Sequence, residues 1–504
     1  MALSNEQWNA PSGSNFYEHQ VSNSCRFKSA TSDALSLTFG TSTDLSKFTF
    51  SCWVKRSLTH SNGGNTNWQN IIGNTTGVDG GGAAFGFESG GGTSGGLNNR
   101  DRIAWYGLAG AGGGSTGGDD RIEGYFYDTS AWYHIVVRVD TSLSAATKIR
   151  YYVNGDIKVR TTTNEPTGDM SRFNTATAHY IGALANGNYD LDGYLAEVVF
   201  CDGQSLGPDS FGETKNGAWI PSDPSGLTFG TNGFYLKFAD SGALGKDSSG
   251  NDNDWTVVNL AAHDQMLDSP TFGSSSSGNF CTMNPLSTTT QSSVTALEGN
   301  LFLDGSTTNP SNYEGGQLAT MGVRSGKWYW EVYLSGGGAS TTDRGWTNGI
   351  AATGNLGEIS GTYGPYAGGP QGNSYNFGSY GGQGIRFNDS NTSYGAGPAN
   401  TNIIGMALDL SNPGSGSLTI YINNSSQGVA VNGSIADAHW VPFVGAGGGS
   451  VSAYDSTVNF GQDSTFAGAK AAGGNADANG HGDFFYAPPS GHLAICTGNL
   501  PAAD

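Results

Sequence analysis

Charged side chains are scarce in this sequence, and basic ones scarcest. Asp, Glu, Lys and Arg make up 13% of the 504 residues, with 22 Lys and Arg against 42 Asp and Glu and a formal net charge of -20. A chain that grips phosphates needs the opposite sign, which excludes nucleic acid as a partner and an anionic membrane surface with it. No window approaches the ~20 apolar residues of a membrane span, so membrane insertion is not expected. The opening MALSNEQWNAPSGSNFYEHQ has neither a basic n-region nor an apolar h-region, so no secretory signal is expected. Cysteine is sparse too: Cys25, Cys52, Cys201, Cys281 and Cys496 are odd in number and contain no C-x-x-C pair. They read as free thiols of a chain folded in a reducing cytoplasm. The eight histidines form no H-E-x-x-H, and neither a Walker loop nor a G-x-S-x-G with a plausible triad is present.

Glycine is what the chain has in excess, at 81 positions and without a G-X-Y period. It lies between apolar runs and comes with an 11% aromatic share, which suits long loops on a β scaffold and not disorder. The glycine-loaded stretches 77–96 and 107–120 read as such loops.

Strand signals begin at Arg26. In FTFSCWVKR, Phe48, Phe50, Cys52 and Val54 alternate on one face while Trp53 takes the other, so both sides of that strand are expected to be covered. In Trp132 to Val139, Tyr133, Ile135, Val137 and Val139 share a face, and Asn154-Gly155 supplies a type I′ hairpin after Lys148 to Val153. The ordered set FTFSCWVKR, NWQNIIGN, SAWYHIVVRVD, IRYYVNG and HYIGALANGNYDLDGYLAEVVFCDGQSL resembles the laminin-G-like, concanavalin-type lectin/glucanase family, in the version common in bacteriophage virion proteins. The resemblance covers roughly residues 20 to 215 and implies a two-sheet jelly roll.

Gly245 to Thr271, GKDSSGNDNDWTVVNLAAHDQMLDSPT, is a polar corner whose Asp, Ser, Asn and Gly bend the chain through Asx turns. GFYLKFADSGALGKDSSGNDNDWTVVN resembles the opening of another laminin-G-like unit, but the continuation is different. From Cys281 onward CTMNPLSTT, SVTALEGNLFLDG, MGVRSGKWYWEVYL, NIIGMALDLSNPGSGSLTIYINNSSQGVAV, WVPFVGAG and VNFGQ resemble a SPRY-type domain, a second concanavalin-like sandwich. Trp328, Trp330, Val332 and Leu334 alternate on one face, as do Ile404, Met406, Leu408 and Leu410. The hairpin position after Ile422 carries Asn423-Asn424, and a Gly/Ala/Asn insertion follows Asn459. The expected fold is all-β: an arm at 1–22, a laminin-G-like domain at 23–219, a linker and connecting β segment at 220–279 and a SPRY-like sandwich at 280–504.

Two site candidates follow. The Tyr/Gly/Ser/Asn-dense run between Gly361 and Asn400 has the composition of a binding loop, with Tyr363, Tyr366, Tyr375, Tyr380 and Tyr394 as its ligand-binding residues. Calcium (Ca2+) is the one ion the sequence leaves a place for, at Asp247, Asn251, Asp252 and Asp254, with Asp190 and Asp192 as a weaker pair. No E-x-D-x-x-E is present; the nearest approach to a glucanase pair is Asp190, Asp192 and Glu197, and no enzyme activity is expected. These readings combine into a virion protein of a tail fibre or tail tip that binds host glycan or envelope, with other virion proteins as partners and a homo-oligomer, such as a trimer, for avidity. The alternative is a capsid decoration or head protein whose loops contact neighbouring subunits.

Overall fold

The computed structural model describes residues 16–57, 68–74, 82–88, 101–107, 120–144, 147–162, 173–185, 187, 189–272, 276–287, 294–305, 315–336, 346–352, 374–378, 384–387, 390–448 and 453–500. Among them the secondary structure is all-β: sheets and short 3-10 turns, without an α-helix. No helix of the described residues is long and apolar enough to cross a membrane. The chain divides into two compact units, with Tyr17–Thr271 forming the first and the second running from Phe272.

The first unit is two antiparallel sheets around one core. Sheet 1 runs Asp156–Ile157, Ile149–Val153, Trp132–Asp140, Lys47–Arg56, Gly193–Asp202, Ser24–Phe27 and Gln265–Met266. Sheet 2 runs Arg160–Thr162, Asp120–Ile122, Arg102–Tyr106, Ala84–Glu88, Trp68–Gly73, Ala178–Ile181, Ala34–Thr38 and Thr256–Val258. Phe48, Phe50, Cys52 and Val54 point into the core between them with Ile135, Val137 and Val139, as the alternation predicts. Trp53 points out and is buried as well, packed with Trp132, Tyr194 and Met266. Asn154 and Gly155 both take left-handed φ, 51° and 80°, as a type I′ turn requires.

The strand Gly193–Asp202 shows why this unit extends past residue 219. It pairs along one edge with Lys47–Arg56, with a bulge between Ala196 and Val199. Its other edge is shared: Ser24–Phe27 pairs with residues 193–195 before the bulge, and Phe234–Leu236 pairs with 198–200 after it. The stretch 220–279 was expected to be a linker and connecting β segment; up to Thr271 it is instead part of the first unit. It supplies Phe234–Leu236 and Gln265–Met266 to sheet 1 and Thr256–Val258 to sheet 2. Residues 17–22 of the expected arm also belong to this unit, where the Val21 N–H donates to Thr271 Oγ1 at 2.9 Å.

Buried ion pairs pin the added segment. Asp268 accepts from Lys55 Nζ at 2.7 Å and from the Trp132 indole N–H at 2.9 Å, and Asp264 accepts from Arg26 at 3.2 Å. All four charged groups are buried.

The second unit buries Trp328, Trp330, Val332 and Leu334 with Ile404, Met406 and Leu408 in one core. Lys327–Gly336 pairs antiparallel with Ile403–Asp409 and Ala453–Asn459, and in parallel with Leu493–Ala494. Asn423 and Asn424 take φ of 49° and 65°, which makes the turn that Asn-Gly would make. The stretched C-terminal segment is held by Glu331, which is buried and accepts the N–H groups of Phe485 and Tyr486 at 2.8 Å each.

A fragment of residues 17–271 is expected to unfold cooperatively in urea, whereas 23–219 lacks strands of both sheets. Circular dichroism and denaturation of the two fragments check this, and a stable 23–219 would contradict the architecture.

Candidate functional site

The expected binding tyrosines separate. Tyr363, Tyr366 and Tyr380 lie outside the described residues. Tyr375 is a core residue, a correction to its expected role: it is buried, tilted against Trp440, and its hydroxyl donates to the Ser434 carbonyl at 3.2 Å. It lies in a strand of alternating pattern, Ser374–Gly378, which turns it inward. Tyr394 is half-buried, edge-on to Phe377, and its hydroxyl donates to the Gly428 carbonyl at 2.5 Å.

The Asx corner is built from its own carboxylates. Asp247 accepts the N–H groups of Tyr235 at 2.9 Å, Ser249 at 2.8 Å and Asn253 at 3.0 Å, and the Ser249 hydroxyl at 2.7 Å. Asp254 accepts the Asp247 N–H at 2.8 Å and Lys246 Nζ at 2.9 Å. Asn251 donates its amide to the carbonyls of Gly230 and Gly233, and Asp252 extends to an exposed position in left-handed backbone. These oxygens are spent on donors of the corner, with Asp252 and Asp254 both facing Lys246 Nζ, so the residues proposed for Ca2+ serve here as turn-formers.

Asp190, Asp192 and Glu197 form no three-membered metal-holding group among the described residues. Asp192 accepts the hydroxyls of Ser29 at 2.9 Å and Ser57 at 2.7 Å, and Asp190 accepts that of Ser32 at 3.0 Å. Burial raises the Asp190 carboxyl to about 6. Glu197 occupies the bulge with φ of 48° and accepts from His19 Nε2 at 2.8 Å and from the Tyr235 hydroxyl. Near it, in a cleft lined by Ser51, Trp53, His134 and Glu197, His134 Nδ1 accepts the Trp219 indole N–H at 2.9 Å. That bond leaves the proton on Nε2, which donates to Ser51 Oγ at 2.9 Å. The imidazole therefore cannot take the serine proton, and burial depresses its pKa to about 3.

The outer face of sheet 2 carries a different arrangement. Three rows cross it: Gly73, Ala84 and Tyr106; Asn70, Gly86, Ala104 and Arg121; Trp68, Glu88 and Arg102. Gly86 is required, since a Cβ there would stand 2.0 Å from the Gln69 carbonyl oxygen where the strands close up at a bulge. Trp68, Ala84, Ala104 and Leu184 cluster on this face, with half-buried Tyr106 and Tyr189 against them. Trp68 and Tyr106 meet edge to face at 4.5 Å. Glu88 accepts from Arg121 through both oxygens, one contact at 2.7 Å, and from the Tyr106 hydroxyl at 3.1 Å. Three polar atoms of the face have no hydrogen-bond partner, the Trp68 indole N–H, Asn70 Oδ1 and the Arg102 Nε–H, and all three are closed to solvent. Tyr189 stands in left-handed backbone at φ 63°, and its carbonyl accepts the Asn70 N–H at 2.7 Å. None of these residues was singled out as a site from the sequence. Ala84–Glu88 was expected to be loop, and the rows across the sheet are visible only once pairing is known.

Residues 29–209 match the model of a family described as the concanavalin A-like lectin/glucanases superfamily. No curated protein matches the chain. Among solved structures the chain is similar to the SPRY domain of human HERC1, at 15% identity over 35% of this chain and 96% of that one, TM-score 0.27. It is also similar to a putative carbohydrate binding protein from Bacteroides ovatus, at 18% identity over 48% of this chain and 61% of that one, TM-score 0.32.

Replacing Asp247 by Ala strands the buried Tyr235 N–H and loosens the part-buried donors of Ser249 and Asn253, and is expected to cost about 1–3 kcal/mol in urea unfolding. Adding calcium to the native chain should leave the melting temperature unchanged, and a rise would restore the ion-site reading. For His134 the folded pKa lies below the unfolded one, so its contribution is present above pH ~6.5 and is lost as pH falls towards 3. Compared with His134→Gln, whose side chain does not titrate, the native chain should lose about 3 kcal/mol of relative stability between pH 7 and pH 4. Denaturation curves of both proteins at the two pH values measure this, and parallel pH profiles would refute it.

Proposed function

We propose that the chain is a non-enzymatic bacteriophage virion protein whose first unit binds a glycan of the host surface or envelope, as a module of a tail fibre or tail tip. The observation that carries the glycan reading is the lectin-type match over residues 29–209. The outer face of sheet 2, with its aromatic rings, amide, carboxylate and guanidinium groups, is the described surface that suits such a ligand.

The geometry supports binding without cleavage. A retaining glycosidase holds two carboxyl groups ~5 Å apart across the bond it breaks. On this chain Glu88 is closed by Arg121 and Tyr106, while Asp190, Asp192 and Glu197 each rest on separate partners. The Ser51–His134 pair has its proton on the wrong nitrogen for a base. The virion context rests on the resemblance of the first unit's strand segments to the form common in bacteriophage virion proteins. A module of this kind gains avidity from many copies on one particle, as in a homo-oligomer among other virion proteins.

The test uses intact particles and purified chain together. Gold-labelled antibody against a tag on this chain should mark the tail, and the purified chain should bind host polysaccharide without shortening it. Label over the head would favour the decoration reading, and chain cleavage would overturn the non-enzymatic one.

A further inference from the structure

We infer that the outer face of sheet 1 carries a site for the carboxylate of an acidic sugar, at the corner built by Lys47–Arg56, Trp132–Asp140 and Ile149–Val153, with Arg138 and Arg150 as its anchors. This rests on the glycan reading above and adds to it the charge class of a second contact.

The strands of this corner send Val137, Val139, Ile149 and Tyr151 into the core, so the residues between them lie on the outer face. Pairing sets Thr49, Arg138 and Arg150 in one row, and Lys47, Asp140 and Lys148 in the next. Four basic side chains thus stand together on a chain of net charge -20. The acid among them, Asp140, is buried and accepts the N–H and the hydroxyl of Ser142.

Other arginines of the chain are matched: Arg26 closes on Asp264, Arg56 on Asp101, Arg121 on Glu88, Arg160 on Asp120 and Arg324 on Asp437. Arg138 and Arg150 form neither an ion pair nor a side-chain hydrogen bond among the described residues. They stand directly opposite each other on neighbouring strands, and like charges so placed repel. Both are partly exposed, and of their nitrogens only Arg138 Nε is closed off, so the Nη groups are open to a ligand. Two facing guanidinium forks fit the two oxygens of a carboxylate, which replaces their repulsion with charge-assisted hydrogen bonds.

The next row points to a sugar as the bearer of that carboxylate. Tyr152 follows Arg150 by two residues on the same face and pairs with Ile157, which is 56% exposed. Its partly exposed ring offers the apolar surface that the C–H face of a pyranose takes. A densely charged polymer such as nucleic acid meets the field of the whole acidic chain, whereas a carboxylate on every second sugar meets chiefly the local pair.

The full-length chain would be titrated calorimetrically with hyaluronan, which carries its carboxylates on alternate sugars, with neutral dextran and with poly-L-glutamate, at about 50 and about 500 mM NaCl. Hyaluronan is expected to bind at the lower salt and to weaken at least about tenfold at the higher. Arg138→Gln and Arg150→Gln should each weaken it about tenfold or more, the loss of a charge-assisted partner. The melting temperature of each free variant should equal or exceed the native one, because the cross-strand repulsion is gone. If Arg138→Gln does not fold, Arg150→Gln decides. Hyaluronan binding that survives both changes or ignores salt would sink this assignment while the glycan reading stands, and so would binding of dextran alone. Preference for poly-L-glutamate would overturn it in favour of an acidic protein segment. Failure of all three polymers to bind would sink it too, leaving the glycan reading to be judged on host polysaccharide.

Discussion

Asp268 is the residue on which the first unit most depends. Its carboxylate lies beneath the outer face of sheet 1, paired with the Lys55 ammonium and the Trp132 indole N–H. Removing one partner of a buried ion pair typically costs about 3–5 kcal/mol, because the other charge is left uncompensated out of water. Asp264 and Arg26 repeat the device four residues earlier in the chain. Together they tie residues some two hundred positions apart into one cooperative unit. They also explain a polar-looking corner that contains fully buried acids.

From that constraint the rest follows. The outer side of sheet 1 is covered by Phe211, Phe229 and Trp219, which pack on its own Trp53, Val136, Val199, Tyr235 and Met266, so both its faces are core-like. Its polar residues, Ser51, His134 and Glu197, are locked into a network with Trp219, His19 and Tyr235, and a neutral, doubly bonded imidazole serves there as a strut. Sheet 2 is left to present the unit's chemistry. Its small-residue floor, Gly86 and Ala104, lets larger side chains at its border stand over it.

Much of this was legible in the residues. Alternation in FTFSCWVKR and in Trp132 to Val139 located the core strands, and Asn154-Gly155 and Asn423-Asn424 located hairpins, because side-chain period and positive φ are local properties. The all-β class and the tandem units followed from the same signals. What was not legible depends on pairing. Phe234–Leu236 reads as an isolated strand until the bulge at Glu197 shows that half an edge of Gly193–Asp202 was still open. Ala84–Glu88 hides among glycines because its Gly86 is demanded by a neighbouring carbonyl and not by a turn. Tyr375 carries the composition of a binding loop, yet its strand turns it into the core. The acids of the seam look like cation ligands by composition, and their donors come from residues a dozen or more positions away as well as from neighbours.

The first unit is proposed to bind a glycan on the outer face of sheet 2. A crystal structure of the full-length chain with a neutral oligosaccharide that it binds tests this most directly. A pyranose ring against Tyr106 and Tyr189, the partly exposed rings of that face, is expected. Sugar density at any other surface, with this face unaltered, would contradict it.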